Sequence, residues 1–180
     1  MAAICIYGSS RENIDRHFIQ ETERLGKMVG ERGHSLVYGA GATGLMGAAA
    51  RGIREAGGDV IGVAPHFMHK FEPIFDCTRT IETKTMAERK SVMEKTAEAF
   101  IVAPGGVGTL DEFFQILTLK ELGLLDDKPI IIFNIDGFYD TLRDMMKSLN
   151  ERGFLRENLL DMFTICNTAD EAVEELERQL

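Results

Sequence analysis

Short β-rich runs alternating with amphipathic stretches predict an α/β fold, a parallel sheet with helices on both faces. Two further features support that class. The run Ile130-Ile131-Ile132-Phe133 is apolar at every position, as a strand covered on both faces requires. Three predicted strands end in turns loaded with Gly or Ser, namely Gly8-Ser9-Ser10, Gly39–Gly47 and Pro104–Thr109. The βαβα order gives a doubly wound, Rossmann-like layout in one domain over residues 1–180, with ligands beyond the carboxyl ends of the strands.

The elements follow in order. Ala3–Tyr7 reads as a first strand, closed by Gly8. Ile14, Phe18, Leu25, Met28 and Val29 keep helical spacing until Gly33 stops them. Ser35–Tyr38 is a second strand, leading through the loop Gly39–Gly44 into a small-residue helix from Leu45 to Ala56. Asp59–Ala64 is a third strand, closed by Pro65. The stretch His66–Glu82 carries no clear period and reads as a loop with a short strand near Arg79–Glu82. Thr85–Glu98 is a predicted helix, Ala99–Ala103 a strand and Thr109–Leu122 a helix. Pro129–Asn134 is then a strand, Tyr139–Arg152 a helix, Phe163–Cys166 an edge strand and Ala169–Gln179 an acidic closing helix.

Bulk properties narrow the partners. A chain of 180 residues suits one domain and buries roughly 70% of its unfolded surface without disulfide staples. The net charge of −9 opposes nucleic acid and anionic membranes through the overall field, yet leaves room for a small anion held by local donors. Cys5, Cys77 and Cys166 are odd in number and lack a CxxC pair, which fits reduced thiols in a cytoplasm. The N-terminus lacks the basic start of a signal peptide, and no apolar run reaches the ~20 residues of a membrane helix. A cytoplasmic location is expected.

The Gly-rich turns carry the chemistry. Gly permits close backbone approach, and the free N–H groups of a following helix attract an anion. Gly39-Ala40-Gly41-Ala42-Thr43-Gly44 matches GxGxxG, but it follows the second strand, and the next strand ends with no acidic residue for a ribose hydroxyl. A dinucleotide is therefore disfavoured. A Walker loop is excluded, since no Gly is followed by Lys-Ser or Lys-Thr. Pro104–Glu112 is the sharper feature. Thr109-Leu110-Asp111-Glu112 reads either as a capping box, with Glu112 bonded to the cap amide, or as a turn that sends Glu112 into a pocket. Asp111 and Glu112 diverge by about 100° on a helix, so one carboxylate at most enters that pocket. Arg89-Lys90 within Met86–Lys90 reads as a solvated helix face or, alternatively, as an Arg fork on a phosphate or ribose oxygen. His66 and His69 have a three-residue spacing with no third ligand in view, so no metal is expected.

Taken together, PGGxGTxxE at Pro104–Glu112, MxxRK at Met86–Lys90, Gly39–Gly47 and Gly8-Ser9-Ser10 resemble the Lonely Guy (LOG) family, in order and spacing and over nearly the whole chain. That family comprises cytokinin riboside 5′-monophosphate phosphoribohydrolases, often labelled lysine decarboxylases. The resemblance implies hydrolysis of the N-glycosidic bond of AMP or an N6-prenylated AMP to free base and ribose 5-phosphate. It assigns Arg89 and Glu112 as catalytic. Gly8, Ser9, Gly41, Gly44, Met86, Lys90, Gly105, Gly106, Gly108 and Thr109 are expected around the substrate, and Thr118 matches a family substrate contact. It further implies a homodimer with sites near the subunit interface and no metal or other cofactor. Two stretches depart from the pattern. Ala40 and Ala42 interrupt the usual glycine run, and His66–Thr83 leaves Glu72 and Glu82 as alternatives for the family's base-proximal glutamate. The competing reading is a carrier of a nucleotide or molybdenum cofactor that uses the same loops without hydrolysis. A lysine decarboxylase would need a Schiff-base lysine, for which Lys90 is the only candidate near the motifs.

Overall fold

The computed structural model describes residues Met1–Leu180. Its strands are β1 (Ala3–Tyr7), β2 (Ser35–Tyr38), β3 (Val60–Pro65), β4 (Arg79–Thr83), β5 (Ala99–Val102), β6 (Ile130–Phe133) and β7 (Thr164–Cys166). Its helices are α1 (Arg16–Glu31), α2 (Gly44–Glu55), α3 (Met86–Thr96), α4 (Val107–Glu121), α5 (Asp140–Glu151) and α6 (Ala169–Gln179). The strands form one seven-stranded sheet in the order β4-β3-β2-β1-β5-β6-β7, and every pairing is parallel. The predicted doubly wound fold is the observed one.

Alternation along each strand explains the unbroken apolar runs. Ile4 and Ile6 pack with α1, α2 and α6 on one face, while Cys5 and Tyr7 pack with α3, α4 and α5 on the other. Ile131 and Phe133 divide from Ile130 and Ile132 in the same way. Each such fully buried side chain contributes about 1.5–3 kcal/mol, so a polar residue anywhere in these strands would be costly. No helix is long and apolar enough to cross a membrane.

Topology also decides where a ligand can sit. Ile4 of β1 lies opposite Leu36 of β2 on one side and Ala99 of β5 on the other. The chain winds outward from β1 to β4, then returns through α3 to begin again at β5. A crevice opens outside the carboxyl ends of the two strands flanking such a reversal. Those ends are the turns at Gly8 and Pro104.

The small residues of α2 serve packing against α1. A Cβ added at Gly52 would overlap the carbonyl of Glu23 and lie 2.5 Å from the backbone nitrogen of Lys27. Helix propensity alone favours Ala over Gly by about 1 kcal/mol. Backbone atoms cannot step aside, so the clash wins. Gly52→Ala is expected to lower stability by a net 1–3 kcal/mol, or about that order, read as a shift of the urea midpoint at constant slope.

One local reading is corrected and another filled in. The second Gly-rich helix begins at Val107, not Thr109. The unpatterned stretch after Pro65 is a 3-10 turn over His66–Lys70, then a strap, then the edge strand β4 that the sequence indicated. The strap is held across the Gly39–Thr43 loop. Gly41 bridges Ile74, the N–H of Ala42 donates to Pro73 O at 3.0 Å, and that of Phe75 donates to Ala40 O at 2.9 Å.

Candidate active site

Of the Gly-rich turns before a helix, only one leaves its helix open. At α2, the carbonyl of Ser9 accepts from the N–H groups of Leu45 (2.8 Å) and Met46 (3.2 Å). Gly44 makes that approach feasible, with φ +60 and a Cβ that would lie 2.5 Å from Ser9 O. Gly41 and Gly44, both expected around the substrate, lie outside the lining of the cavity at the start of α4 and shape the loop beside it. Gly41 packs on Met46, and its carbonyl accepts from the Tyr38 hydroxyl at 3.2 Å. Ala40 is buried with φ +67. That left-handed conformation costs about 1–2 kcal/mol, and the Phe75 bond to its carbonyl helps to hold it.

At α4 the situation is reversed. Its cap residue is Gly106, which supplies no side-chain bond. The N–H of Leu110 donates to Gly106 O at 3.0 Å, while the N–H groups of Val107, Gly108 and Thr109 have no protein acceptor. They lie at a cavity of about 390 Å³ whose other walls include Gly8, Ser9, Arg11, Glu72 and Glu112. Free helix N–H groups at a concave surface form an anion seat.

The early start of α4 settles the two readings of Glu112. Thr109 is the third helical residue and is buried, so no capping box forms. Glu112 lies in the second turn and faces the cavity. Burial pushes its carboxyl up to about 7 against the pull of Arg89, with Asp111 and Glu72 raising it further and Lys90 lowering it. Asp111 turns outward and pairs with Lys90 at 2.9 Å, as the helical divergence requires.

Arg89 is not on a solvated face. It is 6% exposed, with Nε donating to Val63 O at 3.1 Å and Nη2 to Gly39 O at 2.9 Å. A Cβ at Gly39 would overlap the guanidinium, which accounts for glycine there. The fork expected on a phosphate or ribose oxygen is thus largely spent on backbone. Arg89 fastens the ends of β2 and β3 and sets a cation beside Glu112. Met86 lies half exposed at the start of α3, its sulfur 4.0 Å from Arg89 Nη1.

The remaining expected residues divide. Gly106, Gly108 and Thr109 line the cavity; Gly105 does not, and a Cβ there would overlap the Thr109 side chain. Thr118 is exposed about three turns along α4, outside the cavity, with its hydroxyl donating to Phe114 O at 2.7 Å. Of the two candidate glutamates, Glu72 lines both this cavity and an adjoining chamber of about 760 Å³ that also touches Arg11, Phe71 and Pro73. Glu82 is exposed on the edge strand, 3.7 Å from His66. The rings of His66 and His69 meet edge to face, 6.1 Å apart. Sequence reasoning missed Arg11 altogether, although its place directly after Ser9-Ser10 was the available signal.

A doubly wound sheet with an open helix N-terminus at its switch point, and a carboxyl raised toward neutral beside it, defines an α/β protein with an anion seat at the carboxyl end of its strands. The family model described as "Possible lysine decarboxylase" matches residues 46–176. The chain is 35% identical to the cytokinin riboside 5′-monophosphate phosphoribohydrolase LOG of Oryza sativa subsp. japonica, over 97% of this chain and 72% of that protein. It is 32% identical to LOG3 of Arabidopsis thaliana, which bears the same enzyme name, over 97% of this chain and 81% of that protein. The chain belongs to the Lonely Guy family. Its fold is also that of the molybdenum cofactor carrier protein of Chlamydomonas reinhardtii, with a TM-score of 0.77 at 21% identity over 99% of this chain and 97% of that one. A molybdenum cofactor binding protein of Rippkaea orientalis is similar at a TM-score of 0.75 and 20% identity, over 98% and 96% of the two chains.

Proposed function

We propose that the protein hydrolyses the N-glycosidic bond of a nucleoside 5′-monophosphate, AMP or an N6-prenylated AMP, releasing the free base and ribose 5-phosphate. The observation that carries this reading is the placement of Glu112 about one turn beyond the open N–H groups of Val107, Gly108 and Thr109, in one cavity. With the 5′-phosphate on those N–H groups, the ribose lies beside Glu112 and the base extends toward Glu72 and the outer chamber. That chamber has room for a substituent on the base.

Glycosidic cleavage passes through an oxocarbenium-like state. The ionised carboxylate of Glu112 stabilises its positive charge and orients the attacking water. Arg89, held by Gly39 and Val63, favours that ionised form and limits the rise caused by burial. Lys90 is engaged by Asp111, so a Schiff-base role finds no support in its surroundings. The reading includes a homodimer, in which a second copy covers the exposed part of α4 around Thr118 and the neighbouring exposed Leu122 and Leu124. Three free thiols fit a cytoplasmic setting.

Incubation with AMP, isopentenyl-AMP, GMP and CMP, read as free base, tests the reaction; nucleotide binding without base release identifies a carrier instead. The pH dependence gives a second check. Glu112 is ionised above about 7, so kcat/KM is expected to rise through neutrality and level off above it. A rate that falls through the same range assigns Glu112 as the proton donor instead.

A further inference from the structure

We infer that Arg11 clasps the substrate's phosphate from the β1 side of the cavity, so that it sets the preference for 5′-phosphorylated nucleosides over nucleosides. This rests on the proposed placement of the phosphate at the start of α4. The other cations near the site are committed: Arg89 to the carbonyls of Gly39 and Val63, Lys90 to Asp111. Arg11 lines the same cavity as the free N–H groups of α4, and its guanidinium has neither an ion pair nor a hydrogen bond.

The backbone beneath that side chain is held firmly. The N–H of Arg11 donates to Ser9 Oγ at 3.1 Å, Thr43 Oγ1 donates to Ser10 O at 2.7 Å, and Ser9 O receives the two N–H groups of α2. The Arg11 carbonyl would lie 2.7 Å from a Cβ at Gly44, so the turn is also pressed against α2. Only side-chain freedom is lost when Arg11 closes on a ligand.

Charge balance gives the residue its task. The cavity wall carries Glu72 and Glu112, both repulsive to a phosphate when ionised. A helix N-terminus offers roughly half a positive charge, too little to offset a phosphate dianion beside two carboxylates. The guanidinium supplies a full charge and a planar pair of donors suited to phosphate oxygens. Without phosphate, the same side chain neighbours Glu72 in the outer chamber.

Calorimetric titration of wild type and Arg11→Ala with AMP, ribose 5-phosphate and adenosine tests the assignment. Loss of one charge-assisted contact is expected to weaken AMP and ribose 5-phosphate about 10- to 100-fold. Adenosine binding is expected to change by less than about threefold, and Arg11→Lys to recover part of the loss. An equal weakening of adenosine, or unchanged AMP affinity, overturns the assignment. If wild type binds AMP but releases no adenine, the hydrolytic reading fails while the affinity ratio still decides Arg11. Wild type that binds no phosphorylated ligand overturns both.

Discussion

Glu112→Gln is expected to lower kcat with AMP by about 10²–10⁴-fold, the span ordinarily lost with a general acid–base group, while AMP still binds within a few-fold of wild type. Gln keeps the shape and the polar contacts but can neither ionise nor balance an oxocarbenium charge. Stability moves the opposite way. The carboxyl is raised from an ordinary value near 4.5 to about 7 in the folded protein, so between those values the folded state holds a proton that the unfolded state has released. Wild-type stability therefore falls as pH rises through that window, by up to about 3 kcal/mol at 1.36 kcal/mol per pH unit. The Gln variant lacks this loss. Urea unfolding at about pH 8 should show it more stable than wild type, with the gap closing below the unfolded carboxyl's range. Retained turnover would remove Glu112 from the chemistry; an unchanged stability gap across pH would show that its carboxyl is not raised.

Arg89→Met is expected to be more damaging still, because one side chain performs two tasks. Its removal leaves the carbonyls of Gly39 and Val63 without their buried donor, and unpaired buried groups cost about 1–3 kcal/mol each. It also removes the nearby cation that holds the Glu112 carboxyl down. The rising limb of the pH–rate profile should move above 7 and kcat at neutral pH should fall by about 10² or more. Arg89→Lys separates the tasks. A lysine restores charge near Glu112 but reaches one carbonyl rather than two, so the pH limb should return toward wild type while the midpoint of unfolding stays low. A profile unmoved in both variants would confine Arg89 to holding β2 and β3 together.

Much of this protein is legible in its sequence. Strand positions such as Ser35–Tyr38 and Ile130–Phe133 follow from short-range composition and hydrophobic period. The capping box at Thr109 failed for a local reason: the glycines at 105 and 106 let α4 begin two residues earlier, which carried Glu112 past the cap and into the cavity. The solvated-face reading of Arg89 failed for a distant one, since its acceptors lie 26 and 50 residues away. Sequence does not separate Glu72 from Glu82, because the pairing that brings Glu72 to the cavity, Gly41 with Ile74, joins two segments with no shared period.

By itself the sequence determined the order of strands and helices, the burial of both sheet faces and the gathering of Gly- and Ser-rich turns on one rim. Each rests on residue spacing within a single element and on the right-handed crossover that parallel strands impose. Which of those turns leaves helix N–H groups open to an anion was decided only in three dimensions. The N–H groups opening α2 are consumed by the carbonyl of Ser9, brought from another strand end, whereas those opening α4 meet no protein acceptor. A helix end is a binding site only when the fold leaves its donors unsatisfied, and that depends on segments far apart in the chain.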